Sequence, residues 1–72
     1  MSMLWEDARS SNIAKVGYDE ETGQLHVMFH SGAVYQYDNV PKEVYETFKE
    51  NHFSGRCLNA TIKGRYDYSR IH

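Results

Sequence analysis

The strongest chemical signal in the sequence lies in its last quarter, where Arg56, Lys63, Arg65 and Arg70 interleave with Tyr66 and Tyr68. Cations neutralise phosphates, and tyrosine rings offer faces on which unstacked bases lie. Single-stranded RNA is read largely through such stacking. The charge is segregated accordingly. Residues 1–53 carry nine acids against four Lys/Arg, a balance of -5, and residues 54–72 carry four Lys/Arg against Asp67 alone, a balance of +3, within a net charge of -2. A basic segment on an acidic body suits contact with a polyanion. The same residues have a plainer use, in which Tyr66 packs against a sheet and the cations face water.

Other chemistries are weaker. His26 and His30 lie four apart in a segment of alternating polarity, where at about 3.3 Å per residue their α-carbons stand roughly 13 Å apart, too far to share an ion. His52 and Cys57 form a candidate ligand pair without the second pair that a structural zinc site needs. A thiolate at Cys57 beside His52 would be a nucleophile, but Cys57 falls with Leu58 and Ile62 on an apolar face, where a cysteine acts as a small inert hydrophobe. Asp19, Glu20 and Glu21 read as a solvated turn. No glycine loop of the phosphate-cradling kind is present. No catalytic residue, metal or cofactor is therefore expected.

These side chains need positioning elements. Ile13 to Tyr18 reads as a strand, and Asp19 to Gly23 as a turn. Gln24 to His30 alternates, with Leu25, Val27 and Phe29 on one face. Ala33 to Asp38 alternates too. A three-residue loop, His30-Ser31-Gly32, pairs Phe29 with Ala33, Val27 with Tyr35 and Leu25 with Tyr37, which gathers the apolar side chains on one face. A two-residue loop would throw Tyr35 and Tyr37 onto the histidine side. The longer loop needs a residue at positive φ, which Gly32 supplies. Val16 and Tyr18 join this face. The opposite face holds His26, Met28, His30, Val34, Gln36 and Asp38, with a small apolar spot at Met28 and Val34. Val40-Pro41 ends the sheet and opens a helix over about 41–51 with Val44, Tyr45 and Phe48 in one stripe. Ser54 reads as the N-cap of a shorter helix over about 54–63, closed by Gly64.

Seventy-two residues make one domain, and a chain of this size buries only about 60% of its unfolded surface. Its one cysteine, Cys57, excludes an intrachain disulfide, which fits a reducing, cytoplasmic compartment. No apolar run approaches a membrane span, and Met1 to Asp7 lacks the basic start and apolar stretch of a secretory leader.

The motifs also occur in a recognisable order: Ser10-Ser11-Asn12-Ile13, Val16-Gly17-Tyr18-Asp19, Leu25-x-Val27-x-Phe29, Gly32-x-x-Tyr35-x-Tyr37, Val40-Pro41-x-x-Val44-Tyr45, Ser54-Gly55, and Asn59-x-x-Ile62-Lys63-x-x-Tyr66. Over residues 10–66 this resembles the KTSC domain, named for the C-terminus of some lysyl-tRNA synthetases and seen also as short free-standing bacterial and phage proteins. His52 stands where that family tends to have a small residue, and Leu58 where an aromatic is common. The resemblance implies an accessory RNA-binding role.

Together these readings predict an α+β domain over residues 12–68, with tails at 1–11 and 69–72. Its three-stranded antiparallel β-meander is packed on one face by the two helices. The predicted function is non-catalytic binding of RNA, either tRNA or single strands, or another nucleic acid, through Arg56, Asn59, Lys63, Arg65 and Tyr66. The alternative is a protein–protein adaptor acting through the outer sheet face or an edge strand. A monomer or weak homodimer without membrane association is expected.

Overall fold

The computed structural model describes residues 3–8 and 10–72. In chain order the elements are β1 (Leu4–Asp7), β2 (Ile13–Asp19), β3 (Gln24–Phe29), β4 (Val34–Tyr37), α1 (Lys42–Glu50), α2 (Gly55–Thr61) and β5 (Tyr68–Arg70). The strands form one antiparallel sheet in the order β1-β2-β3-β4-β5, with both helices inserted between β4 and β5.

The α+β class and the two helices on an antiparallel sheet agree with expectation, but the sheet has five strands rather than three. β1 comes from the stretch read as the N-terminal tail, of which Met1, Ser2 and Arg9 lie outside the described residues, and β5 straddles the expected boundary between the domain and the C-terminal tail. They are short, at four and three residues. Pairing, rather than an internal period, defines them. β1 sets Trp5 opposite Gly17, and β5 sets Tyr68 opposite Tyr37 and Arg70 opposite Tyr35. Gly17 is the feature that admits β1. A Cβ there would fall 2.8 Å from the Trp5 ring and 2.7 Å from Met3 Sδ, so only glycine lets the indole lie across the strand. On the outer face Trp5 meets His26 edge-on at 5.9 Å.

The β3–β4 hairpin has the register required by the three-residue loop. Leu25 faces Tyr37 and Val27 faces Tyr35, the Phe29 N–H donates to the Ala33 carbonyl at 2.9 Å, and Gly32 sits at φ 99°. Ile13, Val16, Tyr18, Leu25, Val27 and Tyr37 from the sheet are buried against Val40, Phe48, Phe53, Leu58 and Ile62 from the helical layer. Each such aliphatic or phenyl side chain contributes about 1.5–3 kcal/mol when fully buried. Tyr18 buries its ring and donates its hydroxyl to the Val40 carbonyl at 2.6 Å, which leaves no polar atom unpaired.

α1 lies towards the β1–β2 side. Tyr45 stacks on Tyr18 at 4.4 Å and donates to Glu6 Oε2 at 2.9 Å, while Lys49 pairs with Glu6 at 3.0 Å. α1 ends in a Schellman turn. The Phe53 N–H donates to the Phe48 carbonyl and the His52 N–H to the Lys49 carbonyl, both at 2.9 Å, while the two rings meet edge-to-face at 5.1 Å. That turn normally favours glycine. Here His52 (φ 58°) and Phe53 (φ 53°) occupy the left-handed region in succession. Ser54 then caps α2, its hydroxyl accepting from the Cys57 N–H at 3.1 Å. Gly64 follows α2 at φ 80°.

Candidate nucleic-acid interface

The helical layer does not reach the whole inner face of the sheet. α2 leaves the β4–β5 side partly open, and Tyr35, which expectation placed in the core, is only half-buried. Phe29 meets Tyr35 edge-on at 5.8 Å, and Tyr68 leans on Tyr35 at 5.9 Å and on Tyr37 at 5.8 Å. Tyr68 is 59% exposed. Together these rings form the floor and one wall of a cleft of about 670 Å³ whose rim carries Lys63 and Arg70. That volume lies within the range of small-ligand sites. Burial, with smaller contributions from Tyr35 and Tyr68, holds the Tyr37 hydroxyl above its usual value near 10, so it is neutral at physiological pH.

A second cleft of about 650 Å³ adjoins the first and shares Phe29 and Lys63 with it. Its other walls carry more polar groups: Asn12 and its preceding serines on one side, Ser54, Arg56 and Asn59, with Leu58 among them, on the other. Asn12 reaches it from the bend before β2, held by its N–H on the Ser10 hydroxyl at 3.3 Å. Arg56 and Asn59 are exposed residues of α2, three apart and so on one face. The two clefts carry three cations, Arg56, Lys63 and Arg70, and no carboxylate lines either among the described residues. The two ion pairs among the described residues, Lys42–Glu20 and Lys49–Glu6, engage none of these cations.

Of the residues the sequence singled out, Arg56, Asn59 and Lys63 converge on the second cleft. Arg65 and Tyr66 do not. They lie past Gly64 around a depression with Asp67 that shares Gly64 and Tyr68 with the aromatic cleft, and Tyr66 packs half-buried against the core. Tyr68 and Arg70 line the aromatic cleft, which the interleaved basic and aromatic pattern contained. Phe29, Tyr35 and Asn12 were missed as site residues. Phe29 and Tyr35 fall in step with the core positions Val27 and Tyr37, so no period distinguishes a half-covered ring from a buried one.

The remaining groups take structural places. Cys57 is half-buried with Sγ 3.7 Å from Thr61 Oγ1. His26 Nε2 hydrogen-bonds Gln36 Oε1 at 3.1 Å, and Gln36 Nε2 donates to Asp38 at 3.0 Å. Lys49 beside Glu6, together with the Tyr45 hydroxyl, holds the Glu6 carboxyl below the usual carboxylate value. Among the described residues no group of three or more His, Cys, Asp or Glu side chains converges as metal ligands would. No helix among them is long and apolar enough to cross a membrane.

Comparison with known proteins places this geometry. An uncharacterized protein of Stutzerimonas stutzeri is 42% identical over 64 residues, spanning 88% of this chain and 90% of that protein. A lysine–tRNA ligase of Nostoc punctiforme is 33% identical over 61 residues, which span 85% of this chain but 11% of the ligase. The crystal structure of a KTSC domain protein from Yersinia pestis superimposes with a TM-score of 0.86 at 32% identity, covering 99% of this chain and 100% of that one. With residues 9–66 matching the family and the whole sheet-and-helix arrangement shared, this chain belongs to the KTSC domain family.

Proposed function

We propose that this domain is a non-catalytic module that binds single-stranded RNA, including unpaired segments of tRNA, or another single-stranded nucleic acid along the two adjoining clefts. The observation that carries the reading is the composition of those clefts. In a chain of net charge -2 they gather rings and three cations and no carboxylate among the described residues. Exposed rings stack on bases of any identity, and the flanking cations contact the backbone. The likeness to part of a lysine–tRNA ligase supports an RNA ligand. A cytoplasmic protein with one free thiol and a monomeric or weakly dimeric state completes the proposal.

Fluorescence anisotropy with labelled RNA octamers and with tRNA at low salt tests it. Binding that weakens as salt rises, and is abolished in the Arg56→Glu/Lys63→Glu variant at unchanged melting temperature, is the expected result. No binding at low salt refutes the proposal.

One observation favours a second reading as a protein adaptor. The outer sheet face presents Trp5 at 43% exposure on the same side as His26 and Met28. Trp is among the residue types that dominate protein interfaces. A Trp5→Ser variant that loses capture of a host protein would support that reading, and unaltered capture would remove it.

A further inference from the structure

The two clefts differ in chemistry in a way that a single elongated groove would not need. The first is walled by Phe29, Tyr35 and Tyr68 and offers ring faces. The second offers the side-chain amides of Asn12 and Asn59, both exposed. Neither amide hydrogen-bonds another side chain or backbone group among the described residues. The Ser54 hydroxyl beside them is already engaged as the α2 cap, so the amides, with the Ser11 hydroxyl and the Arg56 guanidinium of the same lining, are left to a ligand. The two amides are held on different elements. Asn12 precedes β2, and its Nδ2 lies 3.6 Å from where a Cβ on Gly55 would be, an ordinary contact distance that sets the amide beside the start of α2. Asn59 projects from α2. Lys63 belongs to the lining of both clefts.

We infer that the clefts are two successive nucleotide subsites with different tasks: the Phe29–Tyr35–Tyr68 cleft stacks one base without regard to identity, the Asn12–Asn59 cleft reads the neighbouring base by its hydrogen-bonding edge, and Lys63 holds the phosphodiester between them. This rests on the single-strand reading above and adds to it a sequence preference confined to one nucleotide. A carboxamide presents one acceptor and two donors and so matches a base edge, whereas a ring face matches any base. An ammonium at the shared rim is placed as a point charge for the linking phosphate.

The test measures affinities for the four RNA octamers A8, C8, G8 and U8 at low salt, using the full chain and three variants of exposed or half-exposed residues. For the wild type, one homopolymer should bind about tenfold tighter than the weakest. Tyr68→Ala should weaken all four about tenfold and preserve their ranking. Asn12→Ala/Asn59→Ala should bring the four within about twofold of one another, leaving the weakest little changed. Lys63→Ala should weaken all four and lower the salt dependence. Wild-type affinities equal within twofold, a ranking that survives the double asparagine variant, or a Tyr68→Ala variant that binds as wild type would each overturn the two-task arrangement while leaving nucleic-acid binding standing. Failure of all four octamers to bind would remove the single-strand reading itself.

Discussion

His52 and Phe53 adopt the same left-handed conformation side by side, yet replacing each with glycine should move stability in opposite directions. For an L-residue the left-handed region costs about 1–2 kcal/mol, and glycine escapes that cost while losing about 0.5–1 kcal/mol through its freer unfolded chain. His52 is exposed, and its side chain makes no hydrogen bond among the described residues, so nothing else is lost. His52→Gly should therefore stabilise by about 0.5–1 kcal/mol, raising the melting temperature by about 3–6 °C for a domain of this size. Phe53→Gly relieves the same strain but removes a ring that is 5% exposed and packed on Phe48. Emptying such a site costs about 3–5 kcal/mol, so a net loss of about 2–4 kcal/mol is expected. Thermal and urea denaturation followed by far-ultraviolet circular dichroism measure both. A His52→Gly variant that melts at or below the wild-type temperature would refute the argument, because the Schellman turn would then store no strain. RNA affinity should be unaffected by His52→Gly, since the turn's hydrogen bonds fix the direction of α2 with either residue.

Further outcomes follow from the packing and the charges. Gly17→Val should push the Trp5 indole off the sheet, shifting the emission of this single tryptophan to the red and costing about 1–3 kcal/mol; unchanged emission would show that the ring does not lie over Gly17. Glu6 titrates below its unfolded value near 4.5, so its contribution is present above that value and is lost as pH falls through the lower folded one. Tyr45→Phe should cost about 1 kcal/mol at pH 7 and flatten the acid limb of the melting curve, whereas an acid limb parallel to wild type would count against the pairing. Tyr18, Tyr37 and Tyr45 are all raised above the usual value near 10, mainly by burial. The stability they confer is full below pH 10 and declines as pH rises towards the folded values, which urea midpoints from pH 8 to 11 would reveal. Lys63→Ala should reduce the slope of log affinity against log salt for single strands by about 0.7, the share of one phosphate contact; an unchanged slope would place Lys63 away from the backbone.

The middle of the chain was legible because its signals are local. Leu25 to Tyr37 alternates, Gly32 decides the register, Ser54 caps and Gly64 turns. β1 and β5 were not legible, because segments of four and three residues carry no period of their own and become strands only when β2 and β4 offer their edges. Gly17 was the one hint of β1, since a glycine in the middle of a strand signals a close neighbour. The candidate site was half legible for the same reason. Arg56, Asn59 and Lys63 share a helix or its end, so spacing alone brought them together. Tyr35 falls on the core face because it pairs with Val27, and only the helical layer's stopping short of the β4–β5 side leaves that ring half-covered. Arg65 and Tyr66 follow the basic pattern, but the reversal at Gly64 carries them out of the two clefts into a neighbouring depression.

Tyr68 and Arg70 reach their cleft on a ribbon zipped to β4 alone, every residue of which is exposed. Such a margin opens at a lower free energy than the body behind it. Grip and closure then become a single event: an occupant that lies against Tyr68 would also latch the ribbon shut, and slowed solvent exchange of the Ser69 and Ile71 amides, which face β4, would register its arrival even where the rest of the molecule stays silent.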